Sequence, residues 1–120
     1  MKKIGFITRN RVLAQSLASL IKDNLDLPFE PFVLQSYEQA AMDVGILKID
    51  VAIIEMTTDV LPLCTGLRQT NPDCRIMLLV SQDNKEHCDF AMKAVNTKAV
   101  DDYVFLDTSL DYLLAKLLTL

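Results

Sequence analysis

Residues 49–60 read Ile-Asp-Val-Ala-Ile-Ile-Glu-Met-Thr-Thr-Asp-Val, and in them an unbroken apolar run from Val51 to Ile54 ends on an acid, Glu55. A strand with one wet face would alternate apolar and polar residues, so a continuous run marks a strand buried on both faces. Strands of that kind belong to parallel sheets, whose crossover connections cover both faces with helices. Beyond Glu55, Asp59 offers a helix cap and Pro62 falls in the first helical turn, where its missing N–H costs nothing. The stretch therefore reads as a buried strand, a polar turn and a helix.

Four more segments resemble the first part of it. Together the five are Ile4 to Thr8, Pro31 to Gln35, Val51 to Met56, Ile76 to Ser81 and Val100 to Leu106. Helical patterns separate them. From Arg11 to Asn24, the residues Leu13, Leu17, Leu20 and Ile21 share a face behind an Asn10 cap. Ser36-Tyr37-Glu38-Gln39 has the form of a capping box, which predicts a second helix from there to about Gly45. The third helix opens at Asp59 and stops before Asn71-Pro72. The fourth follows an Asn84 cap with Cys88, Ala91, Met92 and Val95 inward, and the fifth starts at Thr108 or Ser109 and runs Leu110, Leu113, Leu114, Leu117, Leu118 to the end.

Strand and helix alternate five times with short connections, which implies right-handed crossovers. The expected fold is α/β: a three-layer (βα)5 flavodoxin-like domain around a five-stranded parallel sheet in the order 2-1-3-4-5. A chain of 120 residues, 51% hydrophobic and 23% charged, matches one such domain with one core, residues 1–120. The final helix ends on Leu117-Leu118-Thr119-Leu120 without a cap or polar tail, and is expected to continue into a longer chain of which this is the N-terminal module.

Sixteen acids against twelve Lys and Arg give a net charge of −4 with no broad basic patch, which argues against nucleic-acid binding by this domain. No apolar run reaches the roughly 18 residues a membrane span needs, so a cytoplasmic protein with no membrane partner is expected. Cys64, Cys74 and Cys88 lack metal or redox spacing and read as free thiols among apolar neighbours. His87 reads as a surface helix residue, so no metal site is expected.

In open sheets of this order, ligands sit beyond the carboxyl ends of the first and third strands. There the sequence supplies Thr8, Arg9 and Asn10 on one side and Glu55, Met56 and Thr57 on the other, with Ser81, Leu106 and Asp107 at the later strand ends. Thr8-Arg9-Asn10-Arg11 is no glycine-rich phosphate loop, which excludes a nucleotide or flavin cradle. No Ser/His/Asp or Cys/His set accompanies it, so no catalytic residue, cofactor or enzymatic activity is expected.

With this order of elements, IDVAIIEM at residues 49–56, RIMLLVS at 75–81 and VDDYVFLDTSLDYL at 100–113 make the chain resemble the receiver domains of two-component response regulators, from Lys3 to Leu118. The resemblance implies a phosphoacceptor aspartate at the position held here by Glu55, and a Mg²⁺-binding acidic pair at the positions of Thr8 and Arg9. It implies switch residues at Ser81 and Tyr103, which are retained, and a lysine where Leu106 stands. The chemical residues are thus replaced while the switch residues remain. Mg²⁺ needs hard oxygen ligands, and Arg9 substitutes a repelling cation for one. Glu55 also projects one methylene farther than aspartate, about 1.5 Å, where a misplacement of about 1 Å costs on the order of a hundredfold in rate.

Two roles for Glu55 follow as expectations. It pairs with Arg9 across the switch point, against which both side chains simply face solvent. Or its longer side chain stands in for a phosphorylated aspartate and holds Ser81 inward and Tyr103 buried, against which both are ordinary strand-end and core residues. Asp101, Asp102, Asp107 and Asp111 gather on a face that receivers use for dimerisation or output contacts, or form a solvated acidic rim. The function expected is that of a pseudo-receiver, regulating an attached output domain or protein partner by contact, with a homodimer through the fourth helix, fifth strand and fifth helix among those contacts. The alternatives are a phosphorylatable receiver in which an acid such as Asp59 assists Glu55, and a small-molecule binder or phosphotransferase subunit on the same fold.

Overall fold

The continuous apolar runs become strands whose alternate residues serve two different cores. A computed structural model of the protein describes residues 1–24, 26–34 and 36–120, apart from the Leu110 side chain. Its elements are β1 (Lys2–Ile7), α1 (Arg11–Asp23), β2 (Phe29–Leu34), α2 (Ala40–Leu47), β3 (Val51–Glu55), α3 (Val60–Thr70), β4 (Arg75–Val80), α4 (Lys85–Asn96), β5 (Asp102–Phe105) and α5 (Leu110–Thr119). The five strands are parallel in the order β2-β1-β3-β4-β5, the expected flavodoxin-like topology. Two sequence expectations lie outside the described residues: Gln35 as the end of the second strand, and the Leu110 side chain in the leucine run of the last helix.

Val51 and Ile53 of β3 pack with residues of α1 and α5 such as Ala18, Leu113 and Leu117. Ala52 and Ile54 pack on the other face with Val44, Leu67 and Ala91 from α2, α3 and α4. That two-sided burial is why the run carries no polar residue until Glu55. Gly5, in β1, lets the chain approach closely: a Cβ there would stand 3.2 Å from the Ile49 side chain and 3.3 Å from that of Leu34.

The helices depart from expectation in instructive ways. In α1 the buried residues are Ala14, Ala18 and Ile21, with Leu13 and Leu17 half-buried and Leu20 exposed. In α4 they are Ala91 and Ala94, while Met92 is half exposed. Small side chains occupy the line of closest approach to the sheet, and larger ones sit beside it. Ser36 does accept hydrogen bonds from Glu38 N–H and Gln39 N–H, but these close a turn, and α2 begins only at Ala40. That helix does not stop at Gly45 but at Leu47, with Lys48 in the left-handed conformation (φ 57°) that glycine usually supplies. Gly45 serves the packing of α2 on α3, where a Cβ would lie 3.1 Å from the Asn71 Oδ1.

The caps expected from sequence are formed at three helices. Asn10 accepts from Leu13 N–H, Asn84 from His87 N–H and Ser109 from Tyr112 N–H. Asp59, at the start of α3, makes no such bond to its own helix. Its carboxylate is used elsewhere.

Candidate functional site

At the carboxyl edge of the sheet, the chain leaves β1 through Thr8, the one buried polar residue among the described residues. Its position is fixed by two hydrogen bonds: Oγ1 donates to Glu55 Oε1 at 2.7 Å and accepts the Asn10 N–H at 3.0 Å. Glu55, half-buried at the end of β3, is thereby tied to the turn that starts α1. The backbone carbonyl of Glu55 accepts a further hydrogen bond, 2.9 Å from the Tyr37 hydroxyl.

The expected pairing of Glu55 with Arg9 does not form. The Arg9 guanidinium lies 4.9 Å from the centroid of the Tyr37 ring and donates to Asp59 Oδ2 at 2.7 Å. Asp59 is exposed and makes no cap bond to α3, so its carboxylate is open to the guanidinium, while Glu55 keeps the Thr8 hydroxyl on one carboxylate oxygen. Arg9 and Asp59 are 58% and 56% exposed, so the pair is made in water without a large desolvation cost.

Electrostatics follow from this arrangement. Burial, and next the negative charge of Glu55, push the Tyr37 phenol from 10.0 up to about 12. The hydrogen bond from Arg9, aided by one from Thr58, holds the Asp59 carboxyl below its ordinary value.

Glu55, Met56, Ser81, His87 and Leu106 line an open cleft of about 660 Å³. Of the strand-end residues expected together, this cleft holds Glu55, Met56, Ser81 and Leu106, while Thr8 and Arg9 line a separate pocket; among the described residues no hydrogen bond joins Glu55 to Ser81. The Ser81 carbonyl is taken by Asn84 N–H at 3.2 Å and the Cys88 thiol at 3.4 Å. Tyr103 is half-buried, set edge-on to Phe105 with ring centroids 5.9 Å apart. Leu106 is 39% exposed and presents a methyl surface to the cleft where a lysine would present charge.

The donor set does not fit Mg²⁺. Of the two carboxylates near the switch point, Glu55 carries the Thr8 hydroxyl proton and Asp59 is paired with the Arg9 cation, which stands where a metal-binding acid would be needed. Among the described residues no group of three His, Cys, Asp or Glu side chains could hold a metal ion.

The acidic face is partly neutralised from within. Asp101 accepts from Arg68 at 2.9 Å, Arg75 at 3.3 Å and the Ile76 N–H at 2.8 Å, and Asp102 accepts from Lys116 at 2.8 Å. Asp107 and Asp111 are exposed. Cys64 and Cys74 are buried free thiols, pushed up to about 11 mainly by burial, and Cys88 is half-buried. No helix is long and apolar enough to cross a membrane.

Tyr37 is not legible as a site residue, because in sequence it falls inside the form of a capping box. The strand order carries the missing signal: β2 neighbours β1, so the loop after β2 must lie beside the loop that holds Arg9.

No protein-family model matches the chain, and no curated protein sequence does. Solved structures do. The chain is similar to the BeF3-activated N-terminal receiver domain of Klebsiella pneumoniae RstA at 21% identity, over 98% of this chain and 97% of that one, with a TM-score of 0.81. It is similar to HP1043, an orphan response regulator of H. pylori, at 16% identity over 98% and 94%, TM-score 0.79. NtrX from Brucella abortus matches at 14% identity and TM-score 0.83 over 99% of this chain but 26% of that one. The fold is that of response-regulator receiver domains.

Proposed function

We propose that this domain is a pseudo-receiver, which regulates an attached output domain or a protein partner by contact and accepts no phosphoryl group through Mg²⁺. The observation that carries this reading is the pairing at the switch point: Thr8 on Glu55 and Arg9 on Asp59. Phosphoryl transfer depends on neutralising the charge of the transferred group with metal and cationic side chains in place. At this site one carboxylate faces an uncharged hydroxyl, and the lysine position is aliphatic. Asp59, the acid that could assist Glu55, is engaged with Arg9.

The cytoplasm is the compartment this role implies. The length of NtrX relative to this chain supports an arrangement in which such a fold is one module of a larger protein. Contacts through α4, β5 and α5 belong to the same reading, with Asp107 and Asp111 among the exposed acids there.

Incubation with acetyl phosphate and Mg²⁺, followed by intact-mass measurement, tests the proposal. The expected result is an unchanged mass. A gain of one phosphoryl group, lost on Glu55→Gln substitution, would overturn it in favour of a working receiver with a glutamate acceptor.

A further inference from the structure

We propose that Arg9 is a resident cation that staples together the three loops following β1, β2 and β3. Each loop contributes one partner. Arg9 comes from the loop after β1, its neighbours Thr8 and Asn10 joined by a hydrogen bond of 3.0 Å. Tyr37 comes from the segment before α2, its ring fixed at the far end by the 2.9 Å bond from its hydroxyl to the Glu55 carbonyl. Asp59 comes from the loop after β3, with its carboxylate 2.7 Å from the guanidinium.

An exposed ion pair or a stacked cation is weak when the two partners must first be brought together. Here both partners are already held. The Tyr37 ring cannot swing without breaking its bond to Glu55, and Asp59 makes no cap bond to α3 that Arg9 would have to displace. A guanidinium can lay its face on a ring while its edge donates to a carboxylate, a double engagement that a lysine ammonium lacks. The other charged groups beside it are Glu38, held by Ser36 at 2.7 Å, and Arg11. Arg9, Tyr37 and Asp59 also line a groove together with Ala41 of α2 and Pro62 and Gly66 of α3. The loops are thereby tied to one another by side chains of the chain itself.

Backbone amide hydrogen exchange tests this. The Asp59 carboxylate bonds to Arg9 and Thr58 and to no group in residues 36–39; its charge also acts directly on Tyr37 and Glu38, and the Arg9→Ala background separates that direct effect from one passed through Arg9. The expected result is that Asp59→Asn speeds exchange at 36–39 severalfold, that Arg9→Ala speeds it about tenfold there and at 57–59, and that the Asp59→Asn effect vanishes in the Arg9→Ala background. Wild-type exchange should be indifferent to millimolar Mg²⁺. The staple is overturned if Asp59→Asn acts on its own loop alone, if its effect on 36–39 persists without Arg9, or if Mg²⁺ slows wild-type exchange. Should Arg9→Ala fail to fold, Arg9→Lys replaces it, with raised exchange at 36–39 expected and wild-type exchange overturning the role of the guanidinium. The phosphoryl question stays separate, since mass decides that one and exchange rates decide this one.

Discussion

The Thr8 hydroxyl links Glu55 to the start of α1, donating to the carboxylate at 2.7 Å while accepting from the Asn10 N–H at 3.0 Å. Replacing it by an isosteric valine leaves both partners without their bond in a buried place. Thr8→Val is therefore expected to lower the unfolding free energy by about 1–3 kcal/mol in urea titrations, with Thr8→Ser recovering most of the loss. Equal stability of the wild type and the Thr8→Val variant would mean that water replaces the bond without cost.

Tyr37 carries a pH signature. Its folded pKa, about 12, lies above the ordinary 10.0 because burial, and next the Glu55 charge, disfavour the phenolate. The folded state therefore holds this proton longer than the unfolded chain does. The associated stability is fully present below pH 10.0 and is lost as pH rises toward about 12. Ultraviolet titration should find a late-ionising component that disappears in Tyr37→Phe, and the variant should lose less stability than wild type across that alkaline window.

At the opposite edge of the sheet, Asp101 gives the reverse dependence. Burial works against its ionised form, but bonds from the Ile76 N–H and from Arg68 outweigh it and hold the carboxyl below 3.8. Its contribution is complete above 3.8 and is lost as pH falls through the lower folded value. Asp101→Asn is expected to be less stable than wild type at neutral pH and to show a shallower acid unfolding curve by circular dichroism. Parallel curves would remove Asp101 from the acid transition.

Two glycines in helices have opposite expected responses to alanine. A Cβ on Gly66 would meet nothing within 4 Å, so Gly66→Ala should raise stability by about 0.5–1 kcal/mol. A Cβ on Gly45 would stand 3.1 Å from Asn71, whose Nδ2 donates to the Ala41 carbonyl at 3.0 Å and ties α2 to α3. Gly45→Ala should therefore gain less than Gly66→Ala, or lose stability, in the same thermal melts.

The strands are legible in the sequence because burial on two faces removes polar residues from them, as in Val51 to Ile54. Helix faces are less so. Leucine draws the eye, yet at the tightest approach to the sheet the room suits Ala14, Ala18, Ala91 and Ala94, and Leu20 and Met92 are left outside. The position of Glu55 at the switch point follows from strand order, but its partner does not. Arg9 is long enough for several acids, and the one it takes in the fold, Asp59, is reached with the guanidinium over the ring of Tyr37, an arrangement that leaves no spacing in the sequence. Asp59 lies within the stretch that decides the fold and has the spacing of a cap, a role its carboxylate does not perform.

The Arg9–Asp59 contact also differs from any ion-filled site in its thermodynamics. Order contributed by a bound ligand grows with the logarithm of that ligand's concentration relative to its dissociation constant. Two side chains of one polypeptide have no such term, so the arrangement survives dilution and chelators unchanged. What can weaken it is ionic strength, through screening of an exposed pair over a Debye length of about 8 Å at physiological salt.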